Sequence, residues 1–514
     1  MPNALLTDLY QLTMSCGYWR AGIHDQPAVF HLFFRRAPFG GAYAIAAGLG
    51  DALAWLEDLR FDEADLSYLA GLAQPGGAPL FPEPFLDFLL SETLRLDVAA
   101  VPEGTVVFPH EPMLRVEGPL WQAQLVETAL LTFLNFQTLV ATKAARICRA
   151  ATGPEGRREP VLEFGLRRAQ GPDGAMGASR AAYVGGTSAT SHLLAGQSLG
   201  IPVAGTHAHS WVTSFPDERS AFRAYADAFP EGAIFLVDTY DTRAGVQAAI
   251  DVAREMRAEG RALRGIRLDS GDLALLSRDA RRMLDDAGFP DVAIVASNDL
   301  DEHRIAELKD AGAAITTWGV GTRLVTAYDQ PALGGVYKQG ALFEDGRWAP
   351  RMKLSETPAK NSIPGRLSVR RYTDDRGRWL ADAIVDRGDV EDGAPLRAPT
   401  LVDPEDDARR LTLPPDAVST ELLVPVLKNG RRVHGPETLE AIRVRSLAGQ
   451  AAMPEAVARN VSPAPNIVGL AERLARRREA LRRAHGPRPG GAPRRAPKSA
   501  ADDIPQDRKA GDPR

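Results

Sequence analysis

Cysteine is almost absent: Cys16 and Cys148 are the only two in 514 residues. A disulfide framework is therefore excluded, and a reducing compartment fits. An excess of basic charge is missing as well, since the formal net charge is −5. Nothing global attracts polyphosphate, so no nucleic-acid partner is expected. Met1 to Leu12 has neither the basic flank nor the apolar stretch of a secretory signal. No apolar run approaches the roughly 20 residues that a membrane helix needs. A cytoplasmic protein without a membrane partner is the expectation. No internal repeat is found. What remains is ordinary globular composition, 44% hydrophobic and 25% charged, in a length that suits about two to four packed units.

The pattern divides the chain. Residues 1–119 mix helix and strand: Thr7 is a candidate N-cap for a helix through Trp19, Ala28–Arg35 reads as a strand, and Leu49–Leu59 as a helix. Residues 120–365 open with a long helix, Leu120–Ala150. Apolar runs then alternate with helical stretches: Val161–Phe164, Val203–Gly205, Ile234–Val237, Gly265–Leu268, Ala293–Ala296 and Ile315–Val320. Such alternation implies parallel strands joined by right-handed crossovers, and a series this long suits an irregular parallel α/β barrel better than an open sheet. Residues 366–470 look like short strands and turns that complete a second α/β domain with the N-terminal segment. Residues 471–514 form a basic tail, disordered beyond a short helix at Ile467–Ala484.

Each run is followed by chemistry. In order come Glu163-Phe164-Gly165-Leu166-Arg167-Arg168, Gly205-Thr206-His207-Ala208-His209 and Asp238-Thr239-Tyr240-Asp241. Then come Arg267-Leu268-Asp269-Ser270-Gly271-Asp272, Ser297-Asn298-Asp299 and Gly319-Val320-Gly321-Thr322. In a parallel α/β barrel the C-terminal strand ends share one face, where active sites are built. Gly321 and Thr322 suit a phosphate, although glycine after a strand is also an ordinary turn. Asp269 and Asp272 could grip a ribose diol or a phosphate-bound Mg²⁺, while Asp272 could equally cap the next helix. Arg267 demands an anion: a planar carboxylate ligand, or an internal aspartate. Arg167, Arg168 and Lys338 add positive charge for a pyrophosphate-bearing substrate. His207 and His209 admit three readings: metal ligands of a barrel hydrolase, a phosphoryl-accepting nucleophile, or a structural pair. The hydrolase is short of ligands, because only His303, His434 and His485 follow, none at a strand end.

Several long segments resemble nicotinate phosphoribosyltransferases. They are Leu6-Thr7-Asp8-Leu9-Tyr10-Gln11, the run Phe34 to Gly41, Gly165 to Gly174, Gly205 to Ser210, Arg267 to Asp272, and Leu333 to Lys338. The resemblance implies a type II phosphoribosyltransferase fold and a homodimer with shared active sites. It implies that nicotinate, phosphoribosyl pyrophosphate and ATP are substrates, with Mg²⁺, in the first step of NAD synthesis from nicotinate. Carried over by position, His209 is the histidine phosphorylated by ATP, and Tyr10, Thr206 and Arg267 bind nicotinate. The phosphoribosyl pyrophosphate set is Arg167, Asp269, Asp272, Ser297, Asn298, Gly321, Thr322 and Lys338, with Asp269 also catalytic. His207 receives no catalytic role, and the Mg²⁺ ligands are left unassigned. Asn466 departs from the family, where a tyrosine is expected, and the Arg-rich tail matches nothing. A nicotinamide- or quinolinate-specific relative is the competing reading within the fold. Arg267, and the absence of a carboxylate in Gly186-Thr187-Ser188-Ala189, argue for the acid.

Overall fold

Six short strands, five of them expected apolar runs, assemble into one parallel sheet. The computed structural model describes residues 3–153, 156–355, 361–389 and 400–485. Its parallel strands are Val161–Glu163, Ala189–Thr190, Ile234–Leu236, Gly265–Leu268, Ala293–Ala296 and Thr317–Val320. In space, Ala189–Thr190 is followed by Val161–Glu163, Thr317–Val320, Ala293–Ala296, Gly265–Leu268 and Ile234–Leu236. The last strand in sequence thus pairs with the first, and every other neighbouring pair is consecutive along the chain. That is the cyclic order of an α/β barrel. The expected run Val203–Gly205 supplies a single parallel bridge, Thr190 to Val203. Among the described residues, strand pairing stops there and resumes at Ile234–Leu236.

Aspartates start the crossover helices. Asp217, Asp241, Asp272 and Asp301 cap Glu218–Ala228, Thr242–Ala258, Leu273–Asp286 and Glu302–Asp310, each carboxylate accepting first-turn N–H groups. These side chains satisfy donors that the helix itself leaves open. Thr7, expected to cap the first helix, does not. The helix is Leu9–Arg20 with Asp8 at the cap position, and Thr7 Oγ1 donates to the Leu125 carbonyl instead. The stretch Thr187–Gly200, expected as helix, is a strand at Ala189–Thr190 followed by the helix Leu193–Leu199. A helix at Gly171–Gly185, built over glycine and alanine, carried too weak an apolar stripe to be expected.

A second, antiparallel sheet runs in the order Arg347–Pro350, Gly335–Glu344, Pro27–Phe34, Leu114–Pro119, Asp97–Ala100, Val424–Lys428 and Arg431–Arg432. Residues 335–350, grouped with the barrel by sequence, pair here with the N-terminal strand Pro27–Phe34. A third sheet contains Arg410–Thr412, Thr400–Val402, Val468–Ala471, Trp379–Asp386, Leu367–Thr373 and Val418–Glu421. The closing helix is Glu472–His485, preceded by that Val468–Ala471 strand rather than starting at Ile467. From residue 486 the expected disordered tail lies outside the described residues.

Helix Glu127–Ala150 joins the units. Leu130, Leu134 and Leu139 enter the core of the antiparallel sheet, whereas Val140, Ala144 and Ile147 enter that of the parallel sheet. Its long apolar face is protein core, yet it also carries Lys143 and Arg146, both buried. Glu302 holds them: Oε2 lies 2.7 Å from Lys143 Nζ, and Oε1 accepts from Arg146 Nε at 2.8 Å. Glu302→Ala should lower the unfolding free energy by about 3–5 kcal/mol, because two buried cations lose their shared carboxylate. Denaturant unfolding measures this. A loss under about 1 kcal/mol would mean that Asp329, the other partner of Lys143, suffices alone.

Candidate active site

Helix caps sort the aspartates of the strand-end face. Asp241, Asp272 and Asp301 have their carboxylates engaged by N–H groups; Asp272 Oδ1 accepts from Ala274 and Leu275, each at 3.1 Å. Asp238 and Asp269 cap nothing. Asp238, buried at its side chain, accepts from Asp269 N–H at 2.8 Å and Ser270 Oγ at 2.7 Å through Oδ2, while Oδ1 is buried without a hydrogen-bond partner. Asp269 Oδ1 accepts from the buried Ser297 hydroxyl. Its other oxygen lies 3.9 Å from His209 Nε2, and Asp238 Oδ1 lies 4.0 Å from the same nitrogen.

His209 is thus ringed by acids. It opens the short helix His209–Thr213, is partly exposed, and has Nδ1 3.1 Å from Thr239 Oγ1. His207 behaves differently. Because this segment is a loop rather than a strand, the two rings do not share a side. The His207 ring is buried, with Nε2 3.2 Å from the Leu236 N–H and Nδ1 3.3 Å from the Ala208 carbonyl. Burial pushes it down to about 4. Both nitrogens are engaged by backbone, so a paired metal site with His209 does not form here, and the hydrolase loses its geometric basis.

Arg267 has no carboxylate within ion-pair distance among the described residues. It donates to Thr206 Oγ1, and its Nε is buried without a partner. Burial holds the guanidinium below its ordinary range; Asp269 and Asp238 oppose this and Arg167 reinforces it. The internal Arg–Asp pair is therefore not what satisfies Arg267. A half-buried guanidinium with an open donor edge and a hydroxyl alongside fits a planar carboxylate. Arg167 is exposed on the turn Leu166–Arg168, after buried Glu163, which accepts from Gly165 N–H, Ser179 Oγ and Thr190 Oγ1.

The phosphate end follows. Asn298 and Asp299, after the Ala293–Ala296 strand, hold φ of 96° and 45°, unusual for residues with side chains and typical of functional loops. Gly319 lets the Thr317–Val320 strand pass the Phe164 ring, which a Cβ would meet at 2.7 Å. Gly321, at φ −118° and ψ −101°, lies outside both the helical and the extended regions, directly before Thr322 on the turn Thr322–Val325. Arg323 on this turn is fixed by Asp301 at 2.8 Å.

Tyr10 and Lys338 lie on other elements, the helix Leu9–Arg20 and the strand Gly335–Glu344. Burial pushes the Lys338 ammonium down, Glu127 opposes, and Lys353 and Arg35 reinforce. Tyr10, half-exposed on helix Leu9–Arg20, has its phenol raised by partial burial and then by Glu127 and Asp8. A cleft of about 1310 Å³ is lined by Arg35, Arg36, His110, Glu405 and the divergent Asn466, and by neither Tyr10 nor Lys338. Neither His209, Arg267 nor Asp269 lines it. Among the described residues, no hydrogen bond or ion pair joins Tyr10 or Lys338 to His209, Arg267 or Asp269. Asp238, Thr239 and Glu163 received no role from sequence, although their strand-end positions were visible.

A family model described as the nicotinate phosphoribosyltransferase (NAPRTase) N-terminal domain matches residues 5–135. Another, for the nicotinate phosphoribosyltransferase C-terminal domain, matches residues 367–478. The chain is 51% identical over 369 residues to the nicotinate phosphoribosyltransferase of Bacillus subtilis, covering 72% of this chain and 73% of that one. It is 41% identical over 434 residues to the Homo sapiens nicotinate phosphoribosyltransferase, covering 74% and 79%. The crystal structure of human nicotinic acid phosphoribosyltransferase superposes with a TM-score of 0.79 at 35% identity, over 93% of this chain and all 100% of that one. The nicotinate-nucleotide pyrophosphorylase from Pyrococcus furiosus shares the fold, with a TM-score of 0.65 at 22% identity over 87% of this chain and 95% of that one.

Proposed function

This chain belongs to the nicotinate phosphoribosyltransferase family, and from that premise we propose how its strand-end face carries out the reaction. The protein is a transferase of NAD biosynthesis that joins nicotinate to phosphoribosyl pyrophosphate. One observation carries the assignment of this face: the unpaired guanidinium edge of Arg267 beside Thr206, on the same face as His209 and Asp269. Arg267 and Thr206 orient the nicotinate carboxylate. The pyridine nitrogen then attacks the anomeric carbon, the bond to pyrophosphate breaks, and pyrophosphate leaves with the electron pair. Asp269, steadied by Ser297, holds the ribose hydroxyls as positive charge develops on the ring. Arg167, Asn298, Gly321 and Thr322 receive the phosphates. Asp272, engaged as a helix cap, contributes through its loop. The products are nicotinate mononucleotide and pyrophosphate, in the first step of NAD synthesis from nicotinate.

ATP, in this reading, phosphorylates His209 to a phosphoramidate. The added negative charge orders the pyrophosphate end of the site, and hydrolysis resets it. Asp238 Oδ1, buried without a partner, and Asp269 are the oxygens suited to Mg²⁺. Bound there, the ion would neutralise phosphate charge. The assay that tests the function measures mononucleotide formed from phosphoribosyl pyrophosphate and each of nicotinate, nicotinamide and quinolinate, with and without ATP. Product from nicotinate alone, increased by ATP, is expected. Equal product from nicotinamide would reject the substrate.

Among the described residues, no hydrogen bond or ion pair ties Tyr10 or Lys338 to the Arg267 cluster, which fits a homodimer in which the N-terminal unit of one subunit completes the partner's site. Tyr10→Ala and His209→Ala should each lose ATP-stimulated activity alone, and mixing them should restore part of it, since one composite site then contains neither lesion. If verified subunit exchange restores nothing, Tyr10 acts within its own chain.

A further inference from the structure

Where strand pairing is interrupted, a side chain takes over. Thr190 pairs with the Val203 segment, its N–H donating to the Pro202 carbonyl at 2.9 Å and its carbonyl accepting from Ala204 at 3.0 Å. On the far edge, Val237 N–H donates to the Arg267 carbonyl, so the N–H of Leu236 faces away from the sheet, where no strand follows among the described residues. A buried N–H in that position requires an acceptor. His207 Nε2 supplies it at 3.2 Å.

We propose that His207 is a positioning residue whose imidazole replaces the missing strand-to-strand hydrogen bond and fixes the Gly205–His209 loop against the Ile234–Leu236 strand. The consequence is local and direct. His207 precedes His209 by two residues, and Leu236 precedes Asp238 by two, so one bond sets the approach of the reactive histidine to Asp238 and Thr239. It also anchors Thr206, the partner of Arg267. The hydrogen bonds allow one neutral tautomer: Nδ1–H donates to the Ala208 carbonyl and bare Nε2 accepts from Leu236. Aromatic neighbours hold the ring in that pose. Tyr225 meets it edge-on at 4.8 Å, and Phe222, 6.2 Å away, stacks on Phe235 of the same strand. Burial favours the neutral form that this bond needs. The inference deepens the functional reading above and rests on His209 lying in the transfer site.

Nitrogen-15 histidine labelling of the full chain tests the tautomer. A neutral ring protonated at Nδ1 is expected between about pH 6 and 8; protonation at Nε2 would overturn the proposal. His207→Phe keeps an aromatic ring but removes the acceptor, whereas His207→Gln places a carbonyl at similar reach. In folded His207→Phe, kcat/KM for nicotinate should fall about 100-fold and the Leu236 amide should exchange faster. His207→Gln should recover activity to within about fivefold and restore Leu236 protection. Full activity in folded His207→Phe would overturn the positioning role. So would a folded His207→Gln as impaired as the Phe variant. Should the Phe variant fail to fold, the tautomer and the Leu236 protection of the unmodified chain decide. If the unmodified chain forms no mononucleotide, the functional reading fails, and the tautomer still decides whether His207 holds this loop.

Discussion

His209→Asn should abolish ATP hydrolysis and its stimulation of product formation, lowering the coupled rate by at least about 100-fold. Slow transfer without ATP should survive, because Arg267, Thr206, Asp269 and the phosphate loops remain. The geometry explains why this residue rather than its neighbour is expected to react. His209 is partly exposed, with Nδ1 against Thr239 and Nε2 about 4 Å from two carboxylates, whereas both nitrogens of His207 face backbone inside the protein. A ring nitrogen can accept a phosphoryl group only through a free lone pair that the nucleotide can reach. The phosphorylated protein should be acid-labile and base-stable, as a phosphoramidate is. Acid-labile phosphate retained in His209→Asn would remove His209 from the mechanism. Phosphate lost in a folded His207 variant that leaves His209 correctly placed would point to the other ring.

Arg267→Ala should raise the nicotinate KM by the equivalent of about 2–4 kcal/mol, since a charged donor to a desolvated carboxylate is lost. The preference for nicotinate over nicotinamide should collapse with it, as the neutral amide never used that charge. Arg267→Lys should recover only part of the loss, because an ammonium cannot reproduce the two-pronged contact of a guanidinium. Because Arg267 has no internal ion pair to break, the substitution should cost little stability, which keeps the kinetic result interpretable. Unchanged KM with a large drop in kcat would instead place Arg267 on the leaving group.

Sequence alone determined the elements with a local cause. Apolar runs such as Ile234–Leu236 and Ala293–Ala296 appear as strands because a short buried strand is apolar throughout. Their helices begin where an aspartate can cap them, which is also local. The order of chemical residues at the strand ends, and with it the resemblance to one family, was legible because those loops are contiguous in sequence. Tertiary structure decided the rest. Gly335–Glu344 joins a strand some 300 residues earlier, a pairing that no local pattern encodes. The two-residue strand Ala189–Thr190 is too short to leave a periodic signal, and only its neighbours on either side define it. Asp269 and Asp272 are chemically identical in sequence. They part ways because one carboxylate meets first-turn N–H groups and the other meets Ser297 and His209. Asp238 stayed without a role until its hydrogen bonds to Asp269 and Ser270, made across two strands, placed it beneath the site. The same holds for the histidine pair: two residues apart and equal in composition, they differ because the chain bends between them. One ring then fills a gap in the sheet, and the other faces the aspartates.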